Sequence, residues 1–298
     1  MTNFLVSVFK RAVCTSTLIS LGLGSANAIE LPLFKKEAEE RGYTLPEAVG
    51  LSLGYMNVSQ NINIDSIQFD GLKTPIFGLP IGSDTIAIDT KGGYQESDVL
   101  TLKADVWLLP FLNFYAIGGK VQGYSETTIS SIGIKGLGSV ETDMPFRLDL
   151  DGYLYGAGTV IAGGYENWFA LADVSYTKTQ LTVIEGEIDS IVFSPRVGYD
   201  FSRTSDFPVR IWVGAQYQNV EQSLSGKISD LSLPSELSGL IGLVNKDGEG
   251  RFKVNQSLAN HWNTLVGAQY EFTPNWVLVT EMGLGQRKSF FVTLDARF

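Results

Sequence analysis

The chain has 298 residues, a formal net charge of −10, 18 % charged residues and 44 % hydrophobic residues. An acidic chain with no basic run excludes nucleic acid as a partner. No window of about 18 apolar residues is present to make a spanning helix, yet charged residues fall below the ~25 % usual in soluble domains.

Lys10 and Arg11 precede a weakly apolar run from Ala12 to Gly24, and Ala26-Asn27-Ala28 fits a small-residue cleavage site. Residues 1–28 therefore read as a secretory signal peptide, with Ile29 opening the mature chain. The single Cys, Cys14, lies before most of the apolar run, which is the wrong order for a lipid-acceptor Cys. Its removal with the signal leaves no disulfide. Residues 29–48 read as a short periplasmic segment. Within them KKEAEER predicts one or two helical turns ending near Gly42, serving either as a plug or as a solvated linker.

From Val49 the pattern has period two. The first strand spans about 49–60, with Leu51, Leu53 and Tyr55 on its apolar face, and NINIDSIQF suggests that it continues further. A long loop, 61–97, precedes the second strand, about 98–108. There Leu100, Leu102, Ala104, Val106 and Leu108 alternate with Thr101, Lys103, Asp105 and Trp107. A tight turn at Pro110 leads to the third strand, 113–124, which sets Tyr115, Ile117 and Val121 against Lys120 and Gln122. After a second long loop, 125–152, come the fourth strand (153–164) and the fifth (168–181), with Asp173 on its polar face. The sixth (188–200) carries Arg196 inward, and its Pro195 marks a bulge or a poorly paired position. The seventh (208–220) carries Arg210 inward. The longest loop, 221–260, contains a candidate helix at 234–244 and a hairpin turn at Asp247-Gly248. The eighth strand (261–272) and the ninth (276–284) put Glu271 and Glu281 inward.

The last segment reads SFFVTLDARF. Phe290, Val292, Leu294, Ala296 and Phe298 share one face, and Asp295 and Arg297 lie on the other. A strand of this pattern closing on a terminal Phe resembles the assembly signal of bacterial outer-membrane β-barrels. The resemblance implies an all-β transmembrane antiparallel up-and-down barrel in the outer membrane of a Gram-negative cell. Its partners would be the barrel assembly machinery, outer-membrane lipid and lipopolysaccharide. The alternating segments give about 10 strands, with 8 or 12 as alternatives. Long and short connections alternate along the chain, as in such barrels. Trp107, Phe111, Phe114, Trp168, Phe201, Phe272, Trp276 and Phe298 would form one aromatic girdle. Tyr124, Tyr153, Tyr176, Tyr217 and Trp262 would form the other.

The expected interior charges are Lys103, Asp105, Lys120, Asp173, Arg196, Arg210, Glu271, Glu281, Asp295 and Arg297. A ten-strand interior with balanced charge is expected to be largely filled by paired side chains. His261, with Ser257 and Asp151 near the same rim, is the place where a hydrolase would put its base, but no spacing supports a dyad. Asp149-Leu150-Asp151-Gly152 carries only part of a calcium-loop pattern. No catalytic, metal or cofactor residue is assigned. The function expected is non-enzymatic: binding of an unknown external ligand through surface loops, or support of the envelope. A narrow channel for small solutes is the alternative, and an outer-membrane hydrolase the second.

Overall fold

The computed structural model describes residues 30–298 apart from 75–76, 135–137, 183, 205–206 and 232–234. The expected signal peptide and Cys14 lie outside the described residues. The strands are β1 (Val49–Asp70), β2 (Ile86–Thr90), β3 (Gly93–Leu109), β4 (Leu112–Ile134), β5 (Gly138–Asp149), β6 (Gly152–Tyr165) and β7 (Trp168–Leu181). They continue with β8 (Glu185–Asp200), β9 (Val209–Lys227), β10 (Arg251–Leu258), β11 (Trp262–Thr273), β12 (Trp276–Leu284) and β13 (Arg287–Arg297).

Ten of these strands close an antiparallel ring in the order β1, β3, β4, β6, β7, β8, β9, β11, β12, β13. β13 returns to β1 with Gly50 opposite Arg297 and Gln60 opposite Arg287. Val49 and Phe298 exchange both backbone hydrogen bonds there, at 3.3 and 2.9 Å. The pairing is staggered, as closure of tilted strands requires. Followed once round from Gln60 and Arg287, it comes back to β1 near Ala48, where Trp107 N–H donates to the Ala48 carbonyl at 2.8 Å. Between β8 and β9 the pairing is interrupted at Ser194 and Pro195 and resumes in unchanged register. Pro195 has no N–H to offer, so it leaves a gap in the ladder rather than a bulge.

The three long connections are folded. β10 pairs with the upper part of β1, Ile62–Asp70, on one edge and with Glu221–Lys227 of β9 on the other. It thereby occupies the wall above the shorter β11, β12 and β13. β5 and β2 flank the upper part of β4 in the same way. The wall is thus prolonged well beyond the first ladder. Its inside is filled by Ile67, Phe69, Ile129, Phe146, Leu148, Leu224, Phe252, Val254 and Leu258, all buried. Helix α2 (Ser235–Val244) belongs to this cap. The Asn245–Gly248 turn joins α2 to β10, so it is a helix-to-strand turn and not a strand hairpin. Gly248 takes φ +71 there, a value only Gly adopts easily.

At the opposite end the turns are tight. Helix α1 (Lys35–Glu40) precedes them, tied to the β3–β4 turn by Leu33 N–H donating to the Leu108 carbonyl at 2.9 Å. Its last turn closes through Gly42 N–H to the Glu39 carbonyl at 2.8 Å. Gly42 and Thr44 then border the same hollow as Glu166, Asn167 and Arg203, on the β6–β7 and β8–β9 turns. Residues 31–48 therefore form a strap crossing the tight-turn mouth before the chain enters β1.

Candidate functional site

The candidate site is the barrel interior. Alternation decides which side chains enter it. On β1, Ser52, Gly54, Met56, Val58 and Gln60 line the lumen, while Leu51 and Leu53 are exposed on the outside. Lys103, Asp173, Arg196, Arg210, Glu281 and Asp295 also line it. Asp105 and Arg297 pack into the wall beside it, and Glu271 shares their inward phase near the β11–β12 turn.

Lys120 is placed differently from the sequence expectation. It sits opposite Leu100 on β3 and Tyr153 on β6, both outward, while Ile117 lies opposite Lys103. Lys120 is therefore on the outer face. The reason is that β4 is apolar on both faces: Phe114 and Ala116 point out, and Tyr115, Ile117 and Val121 point in. Nothing in its alternation says which face is which. Trp107 is also not part of the outer girdle. It lines the lumen near the strap, with its Nε1 buried and unpaired among the described residues. Phe114, Trp168, Phe272, Trp276 and Phe298 are exposed on the outside at the tight-turn end, and Tyr153, Tyr176 and Trp262 towards the other end, whereas Phe111, at the β3–β4 turn, borders the mouth of the lumen.

The interior is layered along its axis. Nearest the strap, Arg297 Nη1 meets Asp105 Oδ2 at 2.7 Å, and Asn113 Nδ2 donates to the same oxygen at 2.7 Å. The Asp105 side chain is 1 % exposed. Across the lumen, Arg210 Nε meets Asp200 Oδ2 at 2.8 Å, and the Ser202 hydroxyl and N–H hold Oδ1.

A second belt lies above this. Arg196 grips Glu281 with both arms, Nε to Oε2 at 2.6 Å and Nη2 to Oε1 at 2.8 Å. Trp212 Nε1 donates to Glu281 Oε2 at 2.7 Å. The Tyr115 hydroxyl donates to the Asp173 carboxylate at 3.0 Å, and Lys103 Nζ lies 5.5 Å from the Tyr115 ring centre. These long side chains lie over glycines of neighbouring strands. A Cβ on Gly158 would be 2.4 Å from the Tyr115 ring, and one on Gly267 would be 2.4 Å from Trp212. Gly at these positions is what lets the belt form.

Above the belt the wall is mostly apolar: Met56, Val58, Val99, Ile117, Leu154, Val192, Leu265 and Phe291. A layer of amides then closes it. Gln222 Nε2 donates to Gln95 Oε1 at 3.1 Å, and Gln256 Nε2 to Ser125 Oγ at 3.1 Å. Arg287 joins this layer, donating to Gln60 Oε1 at 2.7 Å, Gln216 Oε1 at 3.0 Å and the Asn260 carbonyl at 3.4 Å. The apolar cap core lies above. From strap to amide layer the lumen encloses a cavity of about 1160 Å³. The interior is thus not filled as charge pairing alone implies, because small residues occupy many inward positions on β1, β4, β6 and β11.

The sequence reading missed Asp200, the last residue of its sixth strand, and Arg287, which it left in the turn before the closing strand. Arg287 continues the inward phase of Ser289, Phe291 and Thr293, which is the signal that locates it.

The rim residues are not brought together. His261 stacks on Tyr217 and donates Nδ1–H to the Gln218 carbonyl at 2.9 Å, whereas Ser257 donates to Asp65 at 3.0 Å. Asp149 pairs with Arg147 at 3.4 Å. Among the described residues no group of three His, Cys, Asp or Glu is placed to hold a metal ion.

No family model matches the chain, and no curated protein matches it. Solved structures do. It is similar to the outer membrane protein OprG from Pseudomonas aeruginosa at 10 % identity, covering 85 % of this chain and 99 % of that one, with a TM-score of 0.37. It is similar to the translocator domain of the autotransporter NalP from Neisseria meningitidis at 10 % identity, covering 88 % and 93 %, with a TM-score of 0.37. An outer membrane channel from Pseudomonas putida F1 matches at 10 % identity, covering 93 % and 100 %, with a TM-score of 0.35. With these TM-scores below 0.5, the barrel stands on its own strand pairing and the likenesses carry nothing further.

Proposed function

We propose that this chain is a non-enzymatic integral protein of a bacterial outer membrane, closed to free diffusion, whose prolonged rim presents a folded binding surface outside the cell. The observation that supports this reading is an inversion of polarity along single strands. On β1, Leu51 and Leu53 are exposed outward while Ser52 is buried inward; further along, Asn61 and Asn63 are outward and Ile62 inward. On β9, Ile211 and Val213 are exposed outward; further along, Glu221 and Ser223 are outward and Val220 and Leu224 are buried inward. A wall that is apolar outside over one band fits hydrocarbon there, and one that is polar outside above that band fits water. The inversion level marks the outer boundary of the bilayer, and Tyr153 and Trp262 lie near it.

Cell fractionation, with electrophoresis of boiled and unboiled samples, tests the location. The expected result is membrane recovery with heat-modifiable migration, and soluble periplasmic recovery overturns it. The second reading, a narrow channel for small solutes, is favoured by the cavity between strap and amide layer. Planar-bilayer recording separates the two: the closed barrel gives little or no conductance, and large stable conductance selects the channel.

A further inference from the structure

Arg287 is 4 % exposed, and its side chain borders the closed end of the lumenal cavity. Its three hydrogen-bond acceptors, Gln60, Gln216 and the Asn260 carbonyl, are all neutral. The other arginines that the barrel strands point inward, Arg196, Arg210 and Arg297, each have a carboxylate within 2.8 Å. The register shows why Arg287 differs. Its row holds Gln60 and Gln95, and the next row down holds Ser289, Val58 and Ser97. The first carboxylate met below it is Glu281, opposite Phe291, and that one is already held by Arg196 and Trp212. Above it lies the apolar cap core. A buried guanidinium without a counter-ion is costly, and five N–H groups exceed the three acceptors present. Directly below it on the same wall, Phe291, Met56 and Val99 are cross-strand neighbours, with Leu265 close by on β11. A cation at the blind end of an apolar pocket is the complement of a molecule with one anionic end and an apolar body.

We propose that the chamber binds an amphipathic monocarboxylate, its carboxylate on Arg287 and its apolar body on Phe291, Met56, Val99 and Leu265. This rests on the cap closing the loop end of the barrel. Entry is from the strap side, since the amide layer and cap core fill the other end.

The test uses the full chain in nanodiscs of zwitterionic lipid, with equilibrium dialysis of labelled octanoate or octanol corrected by empty discs. Wild type binds octanoate saturably and more tightly than octanol. R287Q, which keeps hydrogen bonding but loses the charge, weakens octanoate by about tenfold or more and leaves octanol unchanged, whereas R287K retains part of the octanoate preference. F291A weakens both probes, and heat-modifiable migration checks that each variant folds; if R287Q does not fold, wild type against F291A and R287K still decides. Equal affinity for octanoate and octanol in the wild type overturns the proposal. So does octanoate binding that R287Q leaves intact, or complete displacement of octanoate by millimolar chloride, which would mark a simple halide site. Absence of saturable binding with no bilayer conductance sinks the ligand and leaves the closed barrel standing. Large conductance sinks the closed barrel itself.

Discussion

Glu281 on β12 receives hydrogen bonds from Trp212 on β9, two strands away, and from Arg196 on β8, the strand beyond, and this convergence decides what a single substitution does. Arg196→Ala removes both guanidinium contacts and leaves the Glu281 carboxylate with Trp212 alone. Breaking one side of a buried pair costs about 3–5 kcal/mol, so the variant should lose its folded electrophoretic form at a clearly lower temperature than wild type. Glu281→Gln should be milder, because the amide oxygen still accepts. Gly267→Val should act through geometry, since its side chain occupies the place of Trp212; the expected outcome is a shift in Trp fluorescence together with lower thermal stability. At the surface, Lys73 bonds Asp247, tying the end of β1 to the α2–β10 turn. The Lys73 ammonium holds the Asp247 carboxyl below the usual carboxylate range, and Asp247 in turn raises Lys73 above the usual lysine value. The clip is therefore present between the two titrations. It is lost as pH falls through the lowered Asp247 value, and lost again as pH rises through the raised Lys73 value. Both groups are exposed, so salt should weaken it as well. Limited proteolysis near residues 71–80 should rise in acid and in high salt; unchanged cleavage across both would remove the clip from the account.

Along an element, the informative feature is phase. β1 keeps one continuous ladder, yet its apolar side chains change faces between Leu53 and Ile62. Below the change the strand is apolar on its outside; above it, the strand is polar outside and covers the apolar cap core. The two parts should therefore fail separately. Phe252→Ala hollows the cap core, at a cost of about 3–5 kcal/mol, and should make the cap sensitive to protease while the folded barrel band survives. Loss of the band together with the cap would mean that the two fold as one unit. The closing strand makes the opposite contrast. Phe298 lies outward, and its backbone bonds Val49 to seal the ring, whereas Phe291 points into the cavity. Phe298→Ser should reduce membrane insertion more than Phe291→Ser, as measured by heat-modifiable protein in the membrane fraction. Equal yields would detach Phe298 from assembly.

For the whole molecule, strap, charged belts, amide layer and cap core lie in series along one axis, so no single layer controls passage. Deleting the strap residues 31–44 should open the cavity to the tight-turn side without producing through-conductance, because the amide layer and the cap remain. Appearance of steady conductance in that deletion would make the strap the only barrier. Much of this was legible in advance, for a simple reason. Period-two alternation with one wet and one apolar face fixes inside and outside for every strand that shows it, and β3, β7, β9 and β13 show it cleanly. The strand ring and most inward charges follow. Where a strand is apolar on both faces, as β4 is around Lys120, or begins at a turn, as β13 does at Arg287, alternation is silent and only the register with neighbouring strands assigns the face. The same limit applies to the long connections. Their Ile and Leu residues announce order, but which strands they join is a matter of pairing between distant segments, such as Phe69 with Phe252. The cavity is the last quantity to appear, because volume depends on how long side chains lie across glycines of other strands. The sequence by itself determined where the ten ring strands run and the faces of those that alternate cleanly, since these follow from local alternation, while closure into a ring was implied by the resemblance of the terminal strand. Only the tertiary structure decided the folded cap, the partner of each charge and the isolation of Arg287, since these follow from contacts between residues far apart in the chain.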